Sequence, residues 1–306
     1  MTKNAAGQHL FVVILNWNGK KHTLSCLSSL AKIERKNVDL QIVVVDNGST
    51  DDSVEAIGKK HPQVTVIPAG KNLGFTGGNN IGIAYSLRHH ADFIWLLNND
   101  TIVDRHALSF LSAFDDPEVG ACGSKIYFAP GREYHSDRYK ESERGRVIWY
   151  AGGNIDWDNM LASHRGVDEV DHGQYDQHGE TSFITGCSFV IRAHVVNRIG
   201  MLDDRYYLYL EDLDWSLRIK QAGYTTMYWP SSIVWHANAG SSGRPGNVLH
   251  EYYFTRNRLL FGFRYAPIRT RMALIREAIR FLFSGSPVRK KAVSDAFFGR
   301  LGKQYE

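Results

Sequence analysis

The chain has 306 residues, of which 43% are hydrophobic, so it can bury a sizeable core in one large domain, with or without a helical appendage. Its three cysteines, Cys26, Cys122 and Cys187, lie far apart, which argues against a disulfide framework or a CxxC zinc site and fits a reducing cytoplasm. No apolar run approaches the roughly 18 residues of a membrane span, and no signal-peptide pattern opens the sequence. We therefore expect a cytoplasmic protein, at most peripheral to a membrane.

Positive charge is concentrated at the C-terminal end. The net charge is +4, yet residues 256–306 hold 12 Lys and Arg against 3 Asp and Glu, and the preceding residues carry a net negative charge. A basic tail on a mildly acidic body favours contact with anionic lipid or a phosphate-bearing partner. Because no nucleic-acid-binding motif accompanies this charge, we do not expect nucleic acid as a partner.

Strands and helices alternate through the first 100 residues. Short apolar runs rich in β-branched residues predict strands, and amphipathic segments between them predict helices. The predicted strands are Leu10–Leu15, Leu40–Val45, Val64–Ile67 and Phe93–Leu97, and the predicted helices are Thr23–Ala31, Asp52–Lys60 and Ile81–Arg88. This alternation indicates right-handed βαβ units and an α/β fold with a mostly parallel sheet.

Polar residues follow three of these strands. They are Asn16 and Asn18, Asp46 and Asn47, and the run Asn98, Asn99 and Asp100. Because the carboxyl ends of parallel strands share one edge, we expect these groups to converge on one crevice, where open α/β sheets bind ligands. The same residues also suit ordinary turns and helix caps. A carboxylate such as Asp46 can accept hydrogen bonds from the base or ribose of a nucleotide.

A glycine-rich stretch, Lys71–Asn80, precedes the Ile81 helix and contains Asn72, Gly74 and Asn79. It lacks the lysine spacing of a P-loop, and the chain has no GxGxxG fingerprint. We interpret the stretch as a loop whose backbone approaches a ligand, or as a plain turn.

The second half has a different pattern. Residues 130–146 are polar and unpatterned, which indicates a mobile surface excursion. The other predicted elements are strands Val119–Phe128 and Ser182–Arg192, a helix near Ala193–Ile199, an aromatic-rich strand at residues 206–210, a helix Leu213–Ala222, and strands Thr225–Trp229 and Ile233–Trp235.

Glu211 and Asp212 open the Leu213 helix directly after the aromatic run. Carboxylates at a helix start favour the helix dipole, which is one explanation of their position. An aromatic setting also desolvates a carboxylate and raises its basicity, so Asp212 is a candidate base.

His236 ends the last predicted strand and precedes a glycine- and serine-rich segment, 238–246, that is typical of a lid. A lone histidine is often structural, but Asp100, His236 and a diphosphate together can hold Mn²⁺ or Mg²⁺ in octahedral geometry. Arg256 and Arg258 follow, and arginine pairs well with phosphate, although both also suit an ordinary helix surface.

The predicted C-terminal helix, Ile268–Phe283, carries an apolar stripe at helical spacing, flanked by Arg269, Arg276 and Arg280. The stripe consists of Ile268, Met272, Ile275, Ile279 and Leu282. Packing of this stripe against the body is one explanation, and contact with a membrane surface is the other.

Seven segments, in order, resemble those of family 2 glycosyltransferases with the GT-A fold, and they span about residues 10–260. They read VVILNWNG, IVVVDNGSTDDS, NLGFTGGNN, LLNNDT, TGCSFVIR, YLYLEDLDWSLR and WHANAGSSG. The variant is similar to bacterial rhamnosyltransferase-like members of cell-surface polysaccharide pathways.

This resemblance implies roles for individual residues. Asp46 would contact the nucleotide base, Asp100 would take the metal-binding last position of the DxD motif with His236 as a further ligand, and Asp212 would be the catalytic base, with Glu211 beside it. Asn98 departs from the usual first Asp of the DxD motif. We assign the donor site to Asn16, Asn18, Asp46, Asn47, Asn72, Gly74, Asn79, Asn98, Asn99 and Arg256, and the acceptor or sugar pocket to Thr185, Gly186 and Trp215.

The expected domains are a GT-A domain over residues 1–265, with a nucleotide-sugar half (1–128) and an acceptor half (129–265), and a basic helical tail (266–306). The expected reaction is inverting transfer of a sugar to a glycan or lipid-linked glycan at the inner face of the membrane, with a divalent metal, Mg²⁺ or Mn²⁺. dTDP-rhamnose is the favoured donor, ahead of a UDP-hexose or UDP-galactofuranose. A sugar nucleotidyltransferase and a non-catalytic carbohydrate-binding protein are the more distant alternatives.

Overall fold

The computed structural model describes residues 7–35, 37–238 and 247–305. Its strands are β1 (Gln8–Asn16), β2 (Val38–Asp46), β3 (Thr65–Pro68), β4 (Phe93–Asn98), β5 (Thr101–Val103), β6 (Val119–Phe128), β7 (Ile148–Tyr150), β8 (Gly153–Asp156), β9 (Leu161–His164), β10 (Gly179–Glu180), β11 (Ser188–Arg192) and β12 (Thr225–His236). Its α-helices are α1 (Lys20–Leu30), α2 (Ser53–Lys60), α3 (Gly74–Arg88), α4 (Ala193–Ile199), α5 (Glu211–Gln221), α6 (Val248–Tyr265), α7 (Ile268–Ser284) and α8 (Pro287–Phe297).

One large sheet organises these elements. Its strand order is β10-β12-β6-β11-β4-β1-β2-β3, with β5 and β7 added beside β12 and β6. Strands β12, β6, β4, β1, β2 and β3 run in the same direction, and β11 runs antiparallel between β4 and β6. The predicted α/β fold with a mostly parallel sheet and C-terminal helices is therefore confirmed.

Helices cover both faces of the sheet, as the apolar runs predict. Alternate residues of β1 face opposite layers: Leu10, Val12 and Ile14 pack with residues of α1, and Phe11 and Val13 pack in the cluster that includes residues of α3, α4 and α5. The sheet edge that carries the polar strand ends is therefore supported on both sides.

Helix α3 begins at Gly74, so most of the predicted glycine-rich loop is helical. The glycines let this helix approach the sheet closely. A Cβ at Gly78 would lie 2.3 Å from Leu15 Cδ1, and a Cβ at Gly82 would lie 2.2 Å from Val13 Cγ1. The loop interpretation was wrong for residues 74–80, because Gly78, like Gly82 beyond this stretch, serves helix–sheet packing rather than a turn.

Three other elements differ from the prediction. Residues 206–210 form no strand, and Tyr207, Tyr209 and Leu210 have left-handed φ angles of 64°, 70° and 68°. The strand predicted from Ser182 begins at Ser188, after a turn in which the Ser188 amide donates to the Thr185 carbonyl. Residues 225–236 form the single strand β12, with an irregularity between Trp229 and Ile233. Pro230 lies in that interval and lacks an N–H for the ladder.

Residues 130–146 were predicted as a mobile surface excursion. They include two short 3₁₀ helices, Ser136–Arg138 and Glu141–Glu143, and the buried Glu133. This segment therefore contributes a buried side chain as well as surface. The lid predicted at 238–246 lies, apart from Asn238, outside the described residues.

The C-terminal helices α6, α7 and α8 pack on one another. The apolar stripe of α7 faces outward: Ile268 is 74% exposed and Met272 is 51% exposed, whereas Thr270, Leu274 and Ala278 are buried. Packing of the stripe on the body is therefore not what the structure shows. Among the described residues, no helix combines the length and apolar character needed to span a membrane.

Candidate active site

The ends of β1 and β2 form a hydrogen-bonded network around Asp46. Asn16 Nδ2 donates to Asp46 Oδ1 (2.9 Å) and to Ser49 Oγ (3.0 Å), and the Ser49 amide donates to Asp46 Oδ2 (3.1 Å). The Thr23 hydroxyl donates to Asn16 Oδ1 (2.7 Å), so the Asn16 amide is oriented from both ends. Asn16 is fully buried and holds Asp46 in place rather than facing a ligand.

Two further asparagines, Asn18 and Asn47, connect neighbouring loops. Asn18 Oδ1 accepts from the Thr50 amide (2.8 Å), which ties the loop after β1 to the loop after β2. Asn47 Nδ2 donates to Asn72 Oδ1 and to the Gly74 carbonyl, both at 3.1 Å, which ties β2 to the start of α3.

Asn79 differs from these loop-tying asparagines. Its side chain is buried and bonds to the Phe75 carbonyl within α3 (2.8 Å), so its predicted donor contact does not fit the structure.

The turn after β4 brings Asp100 to His236. β5 pairs with the end of β12, so His236 lies opposite Thr101, and the Ala237 amide donates to the Asp100 carbonyl (2.8 Å). Asp100 Oδ1 lies 3.1 Å from His236 Nε2. The predicted pair, 136 positions apart in the sequence, is therefore in contact.

His236 is held from one side by an aromatic ring. The Trp149 ring packs edge-on against the imidazole with centroids 4.6 Å apart, and His236 Nδ1 is buried without a hydrogen bond to any described residue. Asn99, the neighbour of Asp100, donates from Nδ2 to Thr23 Oγ1 (3.0 Å). The Asn98 carbonyl accepts from the Thr101 hydroxyl (2.7 Å), so Asn99 ties the turn to α1 and Asn98 supports it through its backbone.

Asp100 and His236 fit a divalent metal that takes its remaining ligands from a diphosphate. Ligands at about 2.1 Å from an octahedral ion lie roughly 3 Å from their neighbours, close to the separation of the two donor atoms here. In the described ranges, no cluster of three or more His, Cys, Asp or Glu side chains can hold a metal alone. The protein thus offers an incomplete set of oxygen and nitrogen donors, which suits a metal shared with a phosphate-bearing ligand.

Asp212 is fixed at the first turn of α5. Its Oδ2 accepts from the Gly186 amide (3.0 Å), and its Oδ1 accepts from the Leu213 amide (2.9 Å). Gly186 lies in the turn at residues 185–188, and in that turn the Cys187 carbonyl accepts from the Asn98 amide (3.0 Å). The turn that holds Asp212 therefore also contacts the strand end that leads to Asp100, as the prediction of a shared crevice requires.

Two adjacent carboxyl groups here differ in their access to solvent. Asp212 is partly exposed, whereas Glu211 is 5% exposed and its Oε2 has no hydrogen-bond partner among the described residues. Burial, together with the charge of Asp212, raises the pKa of Glu211 well above its usual range. Burial also raises the pKa of Asp212, although the amides of Gly186 and Leu213 stabilise its ionised form. The two amide hydrogen bonds therefore favour the ionised form of Asp212.

The segment before α5 is strained. Left-handed φ angles at non-glycine residues cost on the order of 1–3 kcal/mol each. Tyr207, Tyr209 and Leu210 have such φ angles, and the segment that contains them leads directly into Glu211. The prediction of an aromatic strand was wrong, and the helix predicted from Leu213 begins two residues earlier, at Glu211.

Two predicted site residues lie elsewhere. Arg256 is fully buried, and its guanidinium donates to the carbonyls of Gly302, Arg205 and Tyr206. It therefore does not present its charge to a diphosphate in the crevice.

Trp215 is also fully buried, and its Nε1 donates to the Gly200 carbonyl (3.0 Å). It packs against Phe189 in the core and cannot contact a sugar. Both errors arise because sequence proximity to a site does not determine which face of a helix turns inward.

The structure adds residues that the sequence analysis missed. Thr23 and Ser49 orient Asn16 and Asp46, and Trp149 packs on His236. Ser49 follows the strand-end Asp46 and had a local signal. Trp149 had none, because its contact is with the distant His236, and Thr23 had none, because the pattern of helix α1 does not show which side chain faces Asn16.

Known proteins resemble this chain in sequence. Residues 7–258 match the family model described as "Glycosyltransferase like family 2". The N-acetylglucosaminyl-diphospho-decaprenol L-rhamnosyltransferase of Mycobacterium tuberculosis is 27% identical over 245 residues, covering 76% of this chain and 77% of the relative. The dTDP-rhamnosyl transferase RfbF of Shigella flexneri is 23% identical over 262 residues, covering 82% and 79%.

Solved structures share the fold at low identity. The mannosyltransferase PcManGT of Pyrobaculum calidifontis, in complex with GDP-Man and Mn²⁺, superposes with a TM-score of 0.54 at 16% identity, covering 95% of this chain and 74% of that one. GalNAc-T7 with UDP, GalNAc and Mn²⁺ gives a TM-score of 0.60 at 17% identity, covering 94% and 59%. With a family model that matches most of its length and a GT-A sheet that carries the family's motifs at one edge, the chain belongs to family 2 of the glycosyltransferases.

Proposed function

We propose that the protein is an inverting, metal-dependent glycosyltransferase that moves L-rhamnose from dTDP-rhamnose to a hydroxyl of a glycan or lipid-linked glycan in cell-surface polysaccharide synthesis. One observation carries this proposal. The turn at residues 185–188 holds the Asp212 carboxylate through the Gly186 amide and contacts the end of β4 through the Cys187 carbonyl. A base and a metal-binding pair therefore adjoin the same strand ends.

The donor diphosphate would lie across the strand ends. Asp46, oriented by Asn16 and Ser49, would accept hydrogen bonds from the nucleotide base. Asp100 and His236 would hold the divalent metal, which when bound neutralises charge on the leaving diphosphate.

Asp212 would remove the proton from the acceptor hydroxyl. The acceptor oxygen then forms a bond to the anomeric carbon as the bond from that carbon to the diphosphate oxygen breaks, and the nucleoside diphosphate leaves with the electron pair. Because this displacement has one step, it inverts the anomeric configuration and needs no covalent enzyme intermediate. The ionised state of Asp212, supported by two backbone amides, is the state that this role requires.

The choice of dTDP-rhamnose as the donor rests on the names of the relatives. Two of them are named for rhamnose transfer, one with dTDP in its name. A donor screen tests the choice: dTDP-rhamnose, UDP-glucose and UDP-galactofuranose are each added with Mn²⁺, and the midpoint of thermal unfolding is measured. We expect the largest metal-dependent shift with dTDP-rhamnose. A larger shift with a UDP-sugar would overturn the rhamnose assignment but keep the transferase.

Product analysis separates the proposal from its rivals. A transferase releases nucleoside diphosphate from the sugar nucleotide, and NMR of the product shows inversion at the anomeric carbon. A sugar nucleotidyltransferase would instead form pyrophosphate together with the sugar nucleotide, and a carbohydrate-binding protein would release neither product.

We further propose that α7 rests on the anionic inner surface of the membrane, where a lipid-linked acceptor is available. The outward stripe of α7 is apolar and arginines flank it, a combination that suits the boundary between lipid headgroups and chains. Its exposed apolar members are Ile268, Met272, Ile275, Ile279, Leu282 and Phe283, and the flanking arginines are Arg269, Arg276 and Arg280.

Vesicle sedimentation tests this contact. We expect binding to phosphatidylglycerol vesicles, weaker binding to phosphatidylcholine vesicles, and loss of binding in Ile279→Glu. Val248→Glu is the matched control, because Val248 is similarly exposed (50% against 48%) but begins α6. Equal binding by both variants, or a change in oligomeric mass without a change in vesicle binding, would contradict the membrane contact.

A further inference from the structure

The strained segment 206–210 contacts the start of helix α3 and leads into helix α5, which carries Asp212. On one side, the Tyr207 carbonyl accepts from the amides of Phe75 (2.8 Å) and Thr76 (3.3 Å) in the first turn of α3. At its C-terminal end, Leu210 in left-handed conformation leads into Glu211 and Asp212. The conformation of this segment therefore determines where α5 begins and where the Asp212 carboxylate lies.

Asn257 of α6 binds the backbone of this segment. Its Nδ2 donates to the carbonyls of Tyr206 (3.0 Å), Leu208 (2.7 Å) and Tyr209 (2.9 Å). The side chain is fully buried, so water cannot replace these bonds. A single side-chain amide thus donates hydrogen bonds to carbonyls that, in a regular strand, would point to opposite sides.

Arg256 orients Asn257 and extends the same set of contacts. Its Nε donates to Asn257 Oδ1 (2.9 Å), which directs Asn257 Nδ2 toward the segment, and its Nη2 donates to the carbonyls of Arg205 (2.9 Å) and Tyr206 (2.8 Å). Its Nη1 donates to the Gly302 carbonyl (2.6 Å), and the Gly302 amide donates back to the Arg205 carbonyl (2.9 Å). The C-terminal tail therefore closes over this cluster.

A buried guanidinium needs strong partners, because burial disfavours its charged form. The Arg256 guanidinium donates to three backbone carbonyls and to the Asn257 amide oxygen, and the centre of the Tyr253 ring lies 4.8 Å from the guanidinium carbon. The helix thus directs an arginine and an asparagine at one short stretch of backbone rather than at the crevice.

We infer that Asn257 and Arg256 are positioning residues that hold segment 206–210 in its left-handed conformation and so aim Asp212 at the acceptor hydroxyl. This inference rests on the proposed role of Asp212 as base. It gives helix α6 a part in catalysis through two buried side chains that bind the backbone of the segment.

The test variant is Asn257→Asp, which keeps the size of the side chain but places an acceptor oxygen against three carbonyl oxygens. Asn257→Ala is the second variant, since it removes the donor without adding repulsion. Leu259→Ala is the matched control, because Leu259 is buried on the same helix but belongs to the apolar core. All three are expected to lower the thermal unfolding temperature.

Turnover is measured as release of dTDP from dTDP-rhamnose with Mn²⁺. Because displacement of a catalytic group by about 1 Å can cost on the order of 10²-fold in rate, we expect kcat to fall by about that factor in Asn257→Asp and by less in Asn257→Ala. The KM for dTDP-rhamnose should stay within about threefold, and Leu259→Ala should keep kcat within about threefold. A purely structural role would give all three variants the same loss.

Hydrogen exchange gives a readout that does not depend on the donor. Amides in 206–212 should exchange faster in both Asn257 variants than in Leu259→Ala at matched stability. If the Asn257 variants match Leu259→Ala in kcat and exchange while Asp212→Asn is inactive, the positioning inference is wrong and the base assignment stands. If Asp212→Asn keeps full turnover, the proposed base is wrong. If wild type does not cleave dTDP-rhamnose, exchange alone decides whether Asn257 holds the segment.

Discussion

Replacing Asp212 by asparagine separates catalysis from folding at this site. Both oxygens of the carboxylate accept backbone amides, from Gly186 and Leu213. Asparagine has one carbonyl oxygen, so one of these amides would lose its acceptor and face an NH₂ group. A buried donor without a partner costs about 1–3 kcal/mol, and relief of the buried charge beside Glu211 offsets part of this cost.

The catalytic effect should be larger. Loss of a general base typically lowers the rate by about 10²–10⁴-fold, equivalent to roughly 3–5.5 kcal/mol in the barrier. We therefore expect Asp212→Asn to remain folded with a modest change in stability and to lose most turnover. Release of dTDP from dTDP-rhamnose with Mn²⁺ measures the rate, and thermal unfolding measures the stability.

Asp214, in the same helical turn, provides the contrast. It is fully buried and accepts from Arg218 Nε (2.8 Å), Arg264 Nη1 (2.9 Å) and the Tyr265 hydroxyl (2.7 Å). Asp214→Asn should cost about 1–3 kcal/mol in stability, because Arg218 and Arg264, whose side chains are 13% and 37% exposed, lose a charged hydrogen-bond partner. Its turnover per folded molecule should stay near that of wild type. Wild-type turnover in Asp212→Asn, or equal losses in both variants, would refute the assignment of Asp212 as base.

Three further predictions concern individual side chains. Because the folded-state pKa of Glu211 is raised, its contribution to stability is fully present below the ordinary glutamate pKa of about 4.3 and is lost as the pH rises toward the raised value. Glu211→Gln should therefore flatten the fall in stability above about pH 4.3, and an unchanged slope would count against this prediction. Trp215→Phe should lower stability by about 1–3 kcal/mol and leave the donor KM unchanged, whereas a raised KM at unchanged stability would return Trp215 to the sugar pocket. His236→Ala should abolish the Mn²⁺-dependent thermal shift with dTDP. His164→Ala should keep this shift, because it removes a partly buried imidazole that packs on the same Trp149 ring. Loss of the shift in both variants would contradict a specific role for His236.

Much of the site could be predicted from sequence because its residues follow strands. The run Phe93–Asn98 is apolar up to its last residue. The apolar residues identify a buried strand, and the polar end identifies the edge of the sheet that the strand reaches. The contact between Asp100 and His236 needed one further rule, that strand ends of a parallel sheet share an edge.

Elements whose conformation depends on distant partners could not be predicted this way. The aromatic run 206–210 has the composition of a strand, but Asn257 and the amides of α3 bind its carbonyls in a left-handed path. The glycines of α3 suggested a loop, and the proximity of β1 makes them part of a helix.

By itself, the sequence determined the α/β class, the order of the first strands and the polar groups at their ends, since these follow from side-chain periodicity within short segments. Only the tertiary structure decided that Arg256 and Trp215 turn inward, that Glu211 is buried while Asp212 remains accessible, and that the stripe of α7 faces outward. The physical reason is that burial and hydrogen-bond partners are set by contacts between residues far apart in the chain, and local spacing does not specify those contacts.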